Sequence, residues 1–134
     1  MIVERWCRDV AEDLSARGLR DAAWQELAPV LARAPSADGI WPCRAARRLL
    51  EQKVHPKLED YLHSAKWHLR GLFMKGPTDG GAQEREIAAR FRQDETALRA
   101  QGFSRAAAVA QALAEHYDWD AEHEDIQRDE FLDP

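Results

Sequence analysis

Apolar residues recur along this chain at intervals of three and four, the spacing that gathers side chains on one face of an α-helix. Val3, Trp6, Val10 and Leu14 mark a first helix. Gly18 follows as a C-terminal glycine does, with Leu19 in the apolar position after it. A second helix is predicted over 20–33, with Ala23, Leu27, Val30 and Leu31 inward. Pro29 lies inside it and predicts a kink or a break, because proline removes a ladder hydrogen bond. After a loop at 35–39, Pro42 suits the first position of a third helix. That helix turns Ala46, Leu49, Leu50 and the stem of Lys53 inward and ends at His55-Pro56.

The fourth helix, opening at Pro56, has the clearest stripe. Leu58, Tyr61, Leu62, Ala65, Leu69, Leu72 and Phe73 fall within about 100° of arc. Gly76-Pro77-Thr78-Asp79-Gly80-Gly81 reads as a hinge. A fifth helix is predicted over 83–100, with Ile87, Phe91 and Leu98 inward. Asp94 falls in the middle of that face. A buried unpaired carboxylate is costly, so a helix break capped by Asp94 is expected. Gly102 ends the element. Ser104 suits the N-cap of a sixth helix that runs to Tyr117 with Val109, Ala110, Leu113 and Tyr117 inward. Trp119, Ile126, Phe131 and Leu132 show no convincing period.

These elements predict an all-α fold. Short connections make neighbours antiparallel, giving a compact bundle of about six helices in three hairpins. One domain is expected over 1–117, followed by an acidic tail at 118–134 with room for a short helix. Two corners look alike: Leu14 to Leu19 followed by Ala22-Ala23, and Leu98 to Phe103 followed by Ala106-Ala107. The first hairpin resembles one tetratricopeptide unit at Val10, Ala11, Leu14, Gly18, Ala23, Leu27, Leu31 and Pro35. No second unit follows in phase, so a stacked solenoid is not expected.

Composition agrees with helices, since Val, Ile and Thr together number only 11 of 134 residues. The longest apolar run, Ala106–Ala110, is far short of the ~20 residues that span a bilayer. The start of the chain lacks a basic stretch followed by an apolar core, and Cys7 and Cys43 are the only cysteines. Both point to a cytoplasmic, reduced setting, although one disulfide between them stays open. Arginine outnumbers lysine 15 to 4 and alanine is abundant. That usage matches a GC-rich bacterial genome and so a bacterial or phage-borne protein.

The net charge of −5 is uneven. Residues 115–134 hold nine acids against Arg128 alone, so the whole negative balance lies there. Such a block is expected to stay solvated and to act as an interaction tail, carrying Asp118, Asp120, Glu122, Glu124 and Asp125 toward a partner with a basic surface. Residues 44–75 are basic. Arg44, Arg47, Arg48, Lys53, Lys57 and Lys66, with Trp41, Trp67 and Phe73 interleaved, form the alternative: a phosphate-binding surface in a nucleic-acid-processing complex. On the back of the fourth helix His63, Trp67, Arg70 and Met74 have the composition of an interface hot spot, or of a second buried face.

Chemistry is sparse. His116, Asp120 and His123 would share a face if the last helix continued, and His55, His63 and His68 could join Cys7 or Cys43. Neither set is expected to hold a native metal, because Asp118-Trp119-Asp120 reads as a helix end and lone histidines and cysteines are more often structural. No cofactor is expected. Phosphate-loop, dinucleotide and nucleophile-elbow motifs are absent. The leading expectation is a non-enzymatic protein-interaction module, either an inhibitor, an immunity-type factor or an assembly subunit. A nucleic-acid-binding subunit is second and a small metal-dependent enzyme third.

Overall fold

A computed structural model describes residues 2–69 and 81–132, without the side chains of 127–129, 131 and 132. The expected hinge at 76–80, and Leu72 and Phe73 of the fourth-helix stripe, lie outside these residues. The fold is all-α, with six helices and no strand among the described residues: α1 (Ile2–Ala16), α2 (Arg20–Arg33), α3 (Arg44–Glu51), α4 (Leu58–His68), α5 (Ala82–Ala100) and α6 (Ser104–Leu132).

The two look-alike corners share one geometry. Gly18 and Gly102 adopt φ of 76° and 84°. The next residue then donates its N–H back to the helix, Leu19 to Leu14 at 2.8 Å and Phe103 to Leu98 at 2.9 Å. This closing bond leaves the chain antiparallel to itself, and a left-handed residue is needed to make it. The α1–α2 and α5–α6 hairpins follow from it. The expected third hairpin does not form. α4 packs on α2 and α6, whereas α3 packs on α1, α2 and α6. α3 also starts after Pro42 and stops at Glu51, and Lys53 is exposed in a left-handed conformation with φ of 54°.

Two inward faces differ from expectation. α1 buries Glu4, Cys7 and Ala11 and leaves Trp6 and Val3 exposed. Small Cys7 and Ala11 allow close approach to the rest of the bundle, which a large Trp at the seam would prevent. Glu4 is held there by a 2.9 Å hydrogen bond from Gln52 and by Arg8 and Arg48 at 3.9 Å. α2 runs through Pro29 without interruption and buries Trp24, Leu27, Ala28 and Leu31, while Val30 faces out. Over its described residues the fourth-helix stripe is as expected, with Leu58 and Leu62 buried and Tyr61, Ala65 and Leu69 packed against the core. Both cysteines are free and buried. Burial, then the neighbouring Cys43, pushes the Cys7 thiol up to about 11, so it stays protonated and unreactive.

α6 does not end at Tyr117. It continues unbroken to Leu132. Ala106, Ala107, Ala110, Leu113, Ala114, Tyr117 and Ala121 form one buried stripe, and α6 packs on α5, α4 and α3. Three pairs spaced by seven residues set the register. Arg99 donates to Gln111 at 2.9 Å, Arg92 pairs with Asp118 at 2.5 Å, and Arg85 pairs with Asp125. A seven-residue repeat on both partners is the signature of a left-handed antiparallel seam. The expected solvated tail is therefore, through Asp118 and Asp125, part of the bundle.

Candidate functional site

The continuation of α6 creates a surface that the sequence left scattered. At 100° per residue, Glu115, Trp119, Glu122, His123, Ile126 and Glu130 fall within about 100° of arc. All six are exposed, and they lie opposite the buried stripe. Trp119 and Ile126 expose 55% and 50% of their surface two turns apart. His123 packs on Trp119 with ring centroids 3.8 Å apart, its Nδ1 at 3.0 Å from the Trp119 carbonyl. The result is an aromatic ledge and an apolar step, flanked by Glu115, Glu122 and Glu130.

Among the acids expected to meet a partner, Glu122 lies on this stripe. Asp118 and Asp125 are engaged by Arg92 and Arg85. Asp120 and Glu124 are half-buried. Sequence reasoning missed Glu115, Trp119, Ile126 and Glu130 as a stripe because it ended the helix at Tyr117. The heptad spacing of Arg85, Arg92 and Arg99 against Gln111, Asp118 and Asp125 was the available signal that the helix goes on.

The expected hot spot on α4 is largely an internal contact. Trp67 is half-buried and stacks on His116, with centroids 3.3 Å apart at 8°. His63 Nε2 lies 3.3 Å from His116 Nδ1, and burial pushes the His63 pKa below its usual value despite Asp60 nearby. Arg70 and Met74 lie outside the described residues. The basic surface loses a central member. Arg47 is fully buried and spends its guanidinium on the protein itself, so it cannot meet a phosphate. Arg48 is shared with Glu4, and Lys66 is half-buried in a cleft. Arg44, Lys53 and Lys57 are exposed.

The two histidine sets considered for metal are not gathered. Among the described residues no group of three or more His, Cys, Asp or Glu side chains could hold an ion. His55 uses both ring nitrogens, Nε2 toward Asp21 at 2.6 Å and Nδ1 accepting from the Lys57 N–H at 3.0 Å. Among the described residues no helix is long and apolar enough to cross a membrane.

Asp94 caps no break, since α5 runs through it. It stays half-buried at the edge of the cleft. Burial raises its carboxyl to about 6, opposed by the backbone N–H of Trp41 and the charges of Lys66 and Arg47, while Asp38 adds to the rise. A carboxyl that holds its proton more tightly when folded stabilises the fold fully below the unfolded value of 3.8, and that contribution is lost as pH rises through about 6. Asp94→Asn is therefore expected to leave stability unchanged below about pH 4 and to raise it by about 1–2 kcal/mol near pH 8, after allowance for partial exposure. Urea denaturation at the two pH values checks this, and identical midpoints near pH 8 contradict it.

No family model matches the chain, and neither a curated protein nor a solved structure matches it.

Proposed function

We propose that the protein is a non-enzymatic interaction module that docks a basic surface of another protein on the outer face of distal α6. The observation that carries this reading is the exposure of Trp119 and Ile126 on one stripe with Glu115, Glu122 and Glu130. An exposed tryptophan has the anchoring chemistry of interface hot spots, where a buried aromatic supplies most of the energy. The surrounding acids supply complementarity and steering toward lysine- and arginine-rich partners. Such a surface suits an inhibitor, an immunity-type factor or an assembly subunit.

The test starts from a partner captured on immobilised protein and identified by mass spectrometry, with affinity then measured by calorimetry. Trp119→Ala is expected to weaken binding by about 30-fold or more, the effect of a hot spot of about 2 kcal/mol. Glu122→Lys with Glu130→Lys is expected to slow association and to remove most of the salt dependence. Trp119 and Ile126 are exposed, so their replacement leaves the fold intact by circular dichroism. Binding that survives both Trp119→Ala and Ile126→Ala assigns the contact to another face.

A further inference from the structure

A second surface is built for a different kind of ligand. Between α4, α5, α6 and the loop before α3 lies an open cleft of about 590 Å³, within the range of small-molecule sites. Its walls are aromatic and mutually braced. The Trp41 indole N–H donates to the Ala32 carbonyl at 3.1 Å. Trp41 meets Phe91 edge-on, with centroids 5.6 Å apart at 85°, and Phe91 lies nearly parallel to Tyr117 at 5.8 Å. Walls fixed in this way need little ordering when a ligand enters.

Two opposite charges face this aromatic floor. Lys66 reaches in from α4, its Nζ 5.5 Å above the Trp41 ring. Asp94 comes from α5, one turn beyond Arg90 at the rim. Lys66 and Asp94 attract one another through space, and burial weakens the charged form of each. Neither closes an ion pair with the other or with any other described residue. Each has lost part of its hydration without a charged partner at contact distance, an arrangement that costs stability unless something else supplies the partner. A free-standing anion would leave Asp94 unanswered, and a free-standing cation would leave Lys66 and Arg90 unanswered. A molecule bearing both charges on a flat apolar body satisfies both groups and covers the aromatic wall.

We propose that the Trp41–Lys66–Asp94 cleft binds a small zwitterion of the aromatic amino-acid type, its carboxylate toward Lys66 and Arg90, its ammonium toward Asp94 and its ring against Trp41. This site is separate from the α6 stripe, so the two readings stand or fall independently.

L-Phenylalanine, phenylacetate and phenethylamine share the ring and differ in which charges they carry. Calorimetric and ligand-observed NMR titration of the full chain near pH 8 is expected to show L-phenylalanine binding at least about tenfold more tightly than either single-charge analogue, because each charged hydrogen bond contributes about tenfold or more. Asp94→Asn is expected to bring L-phenylalanine down to the affinity of phenylacetate. Lys66→Met is expected to bring it down to that of phenethylamine. Both variants alter half-buried cleft groups, and an unchanged circular dichroism spectrum establishes that they fold. Three equal affinities, no binding up to about 10 mM, or indifference to both variants each overturns the proposal.

Discussion

Replacing Arg47 with methionine is expected to lower the unfolding free energy by about 3–5 kcal/mol, a large part of the stability of a domain this size. The guanidinium is fully buried, and its five donors are all used. Nε donates to the Pro42 carbonyl at 2.8 Å. One terminal nitrogen donates to Asp38 at 2.8 Å and to Gln101 at 3.2 Å. The other donates to Asp38 at 2.8 Å and to the Ile40 carbonyl at 2.5 Å. Methionine fills similar space but leaves two backbone carbonyls and a carboxylate without these donors, and the loss of such partners costs more than the bonds themselves contribute.

The same variant has a pH signature. In the wild-type protein, hydrogen bonds from Arg47 hold the Asp38 carboxyl well below the usual range. A depressed carboxyl contributes stability that is complete above its unfolded value, 3.8, and is lost as pH falls below it toward the folded value. Wild-type protein is expected to lose stability through this window, and Arg47→Met to lose less. Urea midpoints across about pH 2 to 6 give both results. A wild-type midpoint for the variant would show that the loop is held by the Trp41–Ala32 bond instead.

The second large effect is expected at Gly81, where α5 begins against α6. A β-carbon there would lie 2.4 Å from the Ala121 carbonyl oxygen and 2.5 Å from its Cα. These are backbone atoms, which no side-chain rotation can move. The Gly81 N–H also donates to Asp125 at 2.9 Å, so Asp125 caps the start of α5 and places a negative charge at its positive end. Gly81→Ala must push the helices apart, losing the cap and the burial of Ala121. Overpacking of this kind costs about 1–3 kcal/mol, and a lost cap about 1 more. The total is limited because the last turns of α6 can undock while the bundle below Tyr117 persists. Faster amide exchange over 118–126 at unchanged protection of Leu98 and Leu113 is the expected pattern. Wild-type protection throughout would mean that the backbone shifts at no cost.

Much of the fold is legible in the sequence because it depends on local rules. The α2 boundaries, the glycine corners at Gly18 and Gly102, and the Leu58–Leu62 stripe follow from helical period and left-handed capping alone, and these hold whatever the partner helix is. Orientation is less legible. Trp6 is more apolar than Cys7, but close packing at the α1 seam selects small volume, so the larger residue turns outward. The candidate site was half legible. Its charge was visible as nine acids in the last twenty residues. Its surface was not, because apolar residues on both sides of distal α6 blur the period once Trp119 and Ile126 are counted with Tyr117 and Ala121.

The sequence by itself determined an all-helical chain, its turns and its charge asymmetry, since each is a property of a few neighbouring residues. Tertiary structure alone decided which charges remain for function. Arg47 left the basic surface because a loop of carbonyls and one carboxylate closed around it. Asp118 and Asp125 left the acidic tail because arginines of α5 stand opposite them at the same seven-residue interval. Asp94 and Lys66 came to share a cleft because α4 and α5 both border the opening beside Trp41. Partnership between residues distant in the chain is a matter of packing, and no local period encodes it.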